Sequence, residues 1–180
     1  MKPFVLLLVI VAFLNTISHA QNPIVNTRRA VGIDQTYNVA REANSHLFIV
    51  KNEKNKLADV QPTFPSSLGN LDPWAVLYRT NKLDHDKLYA DIAGAFSSRQ
   101  LAELKNERLN LLLYFSDSGD LLEVIFGLPP ESKLSVGQIN SIETRLKKNL
   151  KLKILANDMK GSSFLQYNKT VYFRDLQVKK

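Results

Sequence analysis

The 180-residue chain contains no cysteine. That excludes disulfides, thiolate metal sites and a lipid-modified cysteine behind a leader. Histidine is nearly as scarce, with three in the whole chain. His19 lies in the first twenty residues, which leaves His46 and His85 for any imidazole chemistry. No apolar run approaches the roughly 20 residues needed to span a bilayer. Glycines such as Gly94 and Gly127 stand isolated. No Gly-x-Ser-x-Gly, His-Glu-x-x-His, Walker or dinucleotide loop is present, so no cofactor is expected. Repeats and low-complexity segments are absent as well.

What is present begins with a leader. Lys2 precedes an apolar run from Phe4 to Leu14, and the segment closes on Ser18-His19-Ala20. A basic start, a short apolar stretch and a small-x-small ending define a cleavable signal peptide. Residues 1–20 are therefore read as a leader cut near Ala20, and the protein as exported to a periplasm or the exterior. With no cysteine behind the leader, no lipid anchor is expected. The remaining length is enough for one domain with a real core, whose apolar burial can replace disulfides. The formal charge is +7, one unit of which is Lys2 in the leader. Export turns that basicity away from nucleic acid and toward anionic glycans, lipid surfaces or acidic proteins.

Residues 21–73 read as an N-terminal extension. Short runs around Ile24-Val25 and Val31 are candidate strand fragments. His46-Leu47-Phe48-Ile49-Val50 is the first convincing apolar stretch, and Leu47–Val50 is expected to add a strand to the domain that follows. Pro62, Pro65, Ser66, Ser67, Gly69, Asn70 and Pro73 read as a Pro/Ser-rich linker. Residues 74–180 read as the α+β domain. Leu83, Leu88, Ile92 and Phe96 have helical spacing. Ser97/Gln100 and Ser135/Gln138 are capping boxes, each opening a helix. Leu109, Leu111, Leu113 and Phe115 alternate along a strand, Ser116–Asp120 turns on Gly119, and Leu121–Leu128 returns, which predicts a hairpin. Ile139, Ile142, Leu146 and Leu150 line one face of the second capped helix. Lys151–Leu155 alternates like a strand, and Phe164–Tyr167 and Thr170–Leu176 supply the last extended segments. The fold class is α+β, with a small antiparallel sheet.

The order hairpin, capped basic helix, strand resembles the C-terminal domain of TonB-type proteins. The matching pieces are Leu109–Phe115, Ser116–Asp120, Leu121–Leu128, Ser135–Leu150 and Thr170–Arg174. In size and layout the chain is also similar to uncharacterised secreted proteins of Bacteroides-type bacteria. The TonB resemblance implies a small α+β module and a partner added as a strand at a sheet edge. It brings no catalytic residues. TonB-type proteins keep an uncleaved anchor and a long spacer, which a cleaved leader and a short Pro/Ser segment do not provide.

Candidate chemistry falls into a few clusters. Asp84-His85-Asp86 pairs an imidazole with carboxylates, which suits an oriented base or part of a metal site. The structural reading of the same residues is a helix cap. Asp117, Ser118 and Asp120 are oxygen ligands in a turn, but position twelve of a calcium loop falls on Leu128. Glu123 and Glu131 are the nearest approach to a glycosidase pair. Arg145, Lys147, Lys148, Lys151 and Lys153 form the strongest positive run and the candidate binding patch, and a strand would bring Lys151 and Lys153 together. Tyr114, Tyr167, Tyr172 and Trp74 are candidates for an aromatic sugar platform.

With no convergent catalytic set, these observations favour a non-enzymatic envelope module that binds a protein or glycan. The rivals are a small metal-dependent hydrolase built on Asp84, His85 and Asp86, and a periplasmic enzyme inhibitor presenting the Pro62–Pro73 loop.

Overall fold

The computed structural model describes residues 22–43, 45–155 and 157–176. The expected leader lies outside them. The sheet is built around two strands, β5 (Arg108–Phe115) and β6 (Leu121–Leu128). Leu109, Leu111, Leu113 and Phe115 of β5 and Val124, Phe126 and Leu128 of β6 are buried together against the helices. This is the predicted hairpin. Gly119 in its turn has φ +88°. A Cβ there would also run into the Leu152 carbonyl oxygen, so glycine is required twice over.

Six strands form the main sheet, in the order β1-β2-β3-β6-β5-β8, with every neighbour antiparallel. The outer members are β1 (Arg29–Val31), β2 (Thr36–Arg41), β3 (Phe48–Asn52) and β8 (Leu165–Tyr172). Two further strands, β4 (Asn81–Leu83) and β7 (Leu152–Ile154), make a separate antiparallel pair. The helices are α1 (Pro73–Thr80), α2 (His85–Ala93), α3 (Ser98–Glu103), α4 (Val136–Asn149) and the short α5 (Phe173–Leu176). Both capping boxes form, at Ser97/Gln100 and Ser135/Gln138. Asp72 caps α1 and Asp84 caps α2, each satisfying a backbone N–H that the first helical turn leaves open. On α4, Ile139, Ile142 and Leu146 face the core as their spacing predicts.

The main sheet draws strands from both sides of residue 73, and the strand expected at Leu47–Val50 is one of them. β3 pairs with β6 from Phe48↔Leu128 to Lys51↔Ile125, so the N-terminal strands belong to the same sheet as the hairpin. Tyr37 and Val39 alternate into the core. Two apolar residues are too few for a period-two signal, and it is the pairing with β3 that makes this stretch a strand. The segment read as a linker is packed down. Leu68 is buried, Phe64 packs on the core, and Thr63 and Ser163 exchange hydrogen bonds. The stretch Trp74–Tyr78 is helical, because Asp72 accepts the Trp74 N–H and Pro73 fits the first turn. The last two expected extended segments merge into one strand, β8, which runs the full length of β5, while Phe173–Leu176, expected to be extended, is helical. The reverse face of the sheet carries a smaller apolar cluster of Tyr114, Ile125 and Phe164.

Candidate functional site

The β4–β7 pair places side chains on two sides. Leu83 and Leu152 point into the core, while Lys82 and Lys153 stand directly opposite each other on the solvent side. The hairpin turn positions this pair. The Leu152 N–H donates to the Gly119 carbonyl at 2.8 Å, and Lys151 bridges to Asp120 through the backbone. The Lys151 Nζ also lies 2.7 Å from Asp120 Oδ1. The hydrogen bond and charge of Lys151 hold the Asp120 carboxyl below its ordinary range.

The start of α2 closes the other wall. Asp84 Oδ1 accepts the Lys87 N–H at 2.9 Å, and His85, Asp86 and Lys87 follow in the first turn. A half-open cavity of about 630 Å³ results, lined by Lys82, Leu83, Asp84, His85, Asp86, Lys87, Asn149, Lys151 and Lys153. Asp84-His85-Asp86 and Lys151/Lys153, separate clusters in the sequence, therefore share one site. Asn149 comes from the end of α4, where its Nδ2 donates to Asp91 Oδ1 at 2.8 Å. Lys82, Lys87 and Asn149 carry no local signal, since only the pairing of β4 with β7 brings them in. Among the described residues, no ion pair reaches Lys82, Lys87 or Lys153. Among the same residues, no group of three His, Asp or Glu side chains is placed to hold a metal ion.

The rest of the basic run lies elsewhere. Arg145 is half-buried, and its Nε donates to the Asp91 carbonyl at 3.0 Å. Its guanidinium occupies the space beside Gly94 that a Cβ would need. Lys147 sits between two carboxylates, 2.8 Å from Glu123 Oε2 and 2.9 Å from Glu143 Oε1. Lys148 is exposed. Glu143 is 1% exposed and anchors a polar group that the sequence did not suggest. The Tyr37 hydroxyl donates to Glu143 Oε2 at 2.7 Å, and Asn52 Nδ2 donates to Oε1 at 3.3 Å. Tyr37 and Asn52 are cross-strand partners on β2 and β3, so this carboxylate ties α4 to the N-terminal strands. Burial, followed by the nearby Glu143 charge, pushes the Tyr37 phenol far above its ordinary range. Burial pulls the Lys147 ammonium down, but its bonds to Glu123 and Glu143 outweigh that and raise it.

The acidic turn is occupied structurally. Asp117 Oδ2 accepts the Gly161 N–H at 3.0 Å, and Ser118 bonds to Ser116 and Asp120. Glu123, one of the two carboxylates considered for a glycosidase, is engaged by Lys147. The four candidate aromatics do not form one platform. Tyr114 packs on Phe164 on the reverse face, and Tyr172 lies under Arg174. Trp74 meets Phe64 edge-on, while Tyr167 packs on Tyr78 with ring centroids 4.9 Å apart.

No protein-family model matches the chain, and no curated protein matches it. Among solved structures it is similar to a DUF5043 family protein from Bacteroides uniformis. The TM-score is 0.65 and the identity 17%, over 84% of this chain and 88% of that one. At this identity the likeness shows the α+β fold. It also agrees with the Bacteroides-type layout read from the sequence. The likeness to TonB-type domains rests only on the order of hairpin, helix and strand.

Proposed function

We propose that the protein is an exported, non-enzymatic binding module of a bacterial envelope, and that it holds an anionic partner in the β4–β7 cavity. Export rests on Lys2, the Phe4–Leu14 run and Ser18-His19-Ala20. Among the described residues no helix is long and apolar enough to cross a membrane. The observation that carries the binding reading is the convergence of four lysines from three elements on one cavity, against two carboxylates. Like charges directly opposite on paired strands destabilise by up to about 1 kcal/mol, so the Lys82/Lys153 pair works against the fold unless an anion relieves it. Asp84 is engaged at the start of α2, and among the described residues no metal-holding group forms around it, which favours the binding reading over the metal-dependent hydrolase. The packing of Leu68 and Phe64 weighs against a projecting inhibitory loop at Pro62–Pro73.

Surface plasmon resonance on immobilised anionic and neutral envelope glycans and on lipopolysaccharide tests this reading. The wild-type protein is expected to bind the anionic surfaces, and Lys82→Glu/Lys153→Glu to bind them at least about tenfold more weakly. Equal binding by the variant, or none by the wild type, would count against it. A second reading takes up strand addition. β8 pairs with β5 over eight residues, and no described strand lies on its other side. An extended segment of a protein partner fits such an edge.

A further inference from the structure

We infer that the ligand of the β4–β7 cavity is an acidic saccharide, a hydroxyl-rich body bearing an isolated carboxylate. This rests on the binding reading above and narrows its ligand to one chemical class.

Size is the first constraint. A cavity of about 630 Å³ falls in the range of pockets that hold drug-sized ligands, roughly 300–1,000 Å³, far more than an inorganic anion fills. The ligand therefore has a body of one or two sugar rings beyond its charged group.

Charge is the second constraint. Lys82 and Lys153 face each other with no ion pair among the described residues, and are the natural seat for one carboxylate. Asp84 and Asp86 line the same cavity. A densely charged polyanion such as a nucleic acid or a heavily sulfated chain would bring further negative groups against those carboxylates. A ligand with one acid group and several hydroxyls meets both kinds of lining residue. Its carboxylate sits with the lysines, and its hydroxyls donate to carboxylate oxygens and exchange hydrogen bonds with the Asn149 amide.

The third constraint is the makeup of the lining. Leu83 is the one apolar side chain among the lining residues, and it is buried in the core, 1% exposed. The apolar surface of the cavity is therefore supplied by carbon stems such as those of its lysines, and His85 is its one ring. A nucleotide base has only that imidazole to stack on, and the apolar side chains of a peptide meet no exposed apolar residue. A body with hydroxyls at its rim and C–H groups on its faces fits such a lining.

Titration of ¹⁵N-labelled protein, followed by amide NMR shifts, tests the assignment. The probes are an aldobiuronate (a disaccharide with one uronate carboxylate), its methyl ester, inorganic phosphate and a tri-aspartate peptide. The aldobiuronate is expected to shift amides of β4, β7 and the first turn of α2. The ester, phosphate and peptide are each expected to bind at least about tenfold more weakly. Lys82→Gln/Lys153→Gln should lose the same factor, and Lys148→Gln, outside the cavity, should lose nothing. An ester that binds as tightly as the acid overturns the inference. So does phosphate or peptide binding as tightly as the saccharide at β4–β7, although the anion-binding function would stand. No shift at β4–β7 with any anion overturns both. If the double lysine variant fails to fold, the comparison of acid with ester on wild-type protein still decides.

Discussion

The lysines at the end of α4 and in β7 belong to one basic run but occupy opposite electrostatic situations. Lys147 is flanked by Glu123 and Glu143, and its neighbourhood extends through Glu143 to Tyr37 and Asn52. Lys153 faces another lysine across two short strands and has no ion pair among the described residues. Lys151 lies between these extremes, bridged to one exposed aspartate. A compensated, half-buried cation holds structure together, whereas uncompensated cations gathered around a cavity are available to a ligand. Positive charge in a sequence does not separate these roles. The carboxylates that fold against each lysine do.

Breaking the compensated side should have the largest effect. Glu143→Ala leaves Lys147 with one partner, strips Tyr37 of its acceptor and leaves Asn52 Nδ2 with Gln35 alone. The loss expected in urea unfolding is about 3 kcal/mol, the lower end for breaking a buried charge pair. Tyr37→Phe removes one hydrogen bond to the same carboxylate and should cost about 1–2 kcal/mol.

Tyr37→Phe should also change the pH profile. The folded values of both Tyr37 and Lys147 are raised. The stability they contribute is present below the unfolded values of about 10 and is lost as pH rises through the folded ones. Wild-type protein should therefore weaken steeply above about pH 10. Tyr37→Phe should start lower and fall less steeply, as read from denaturation midpoints across alkaline pH. A parallel pair of curves would show that Tyr37 is not part of this linkage.

On the uncompensated side, Lys82→Gln/Lys153→Gln removes a repulsion. It should leave stability unchanged within about 0.5 kcal/mol, or slightly raised. The smallest effect is expected from Asp120→Asn, which releases Lys151 to the cavity. Anion affinity should rise about twofold, and stability should barely move because the bridge is solvent-exposed. The depressed Asp120 carboxyl contributes above the ordinary carboxylate value and loses that contribution as pH falls through its folded one. The variant should therefore flatten the acid limb of the wild-type profile.

What was legible in the sequence was local. The hairpin announces itself because Leu109, Leu111, Leu113 and Phe115 alternate up to a glycine turn. The two capping boxes are read from residues three apart. The Asp84 cap and the pairing of Lys151 with Lys153 on one side of a strand follow from the same short-range rules. What escaped was long-range. Thr36–Arg41 is a strand because β3 gives it a partner, and Arg29–Val31 because Thr36–Arg41 does in turn; their own composition is too polar to show the pairing. Glu143 and Tyr37 lie 106 positions apart and meet only when α4 packs on β2. The cavity needs β4 to find β7, and neither three-residue strand has a periodicity of its own. The division of the basic run between structure and site follows from those same distant pairings.

Isothermal titration calorimetry with the aldobiuronate tests the central claim most directly, comparing Lys82→Gln/Lys153→Gln with Lys147→Gln at a temperature where both are folded. The account predicts that the double variant loses at least about tenfold in affinity and keeps its stability, while Lys147→Gln keeps its affinity and unfolds more readily. A double variant that binds as wild type, or a Lys147→Gln protein that loses binding while remaining folded, would contradict it.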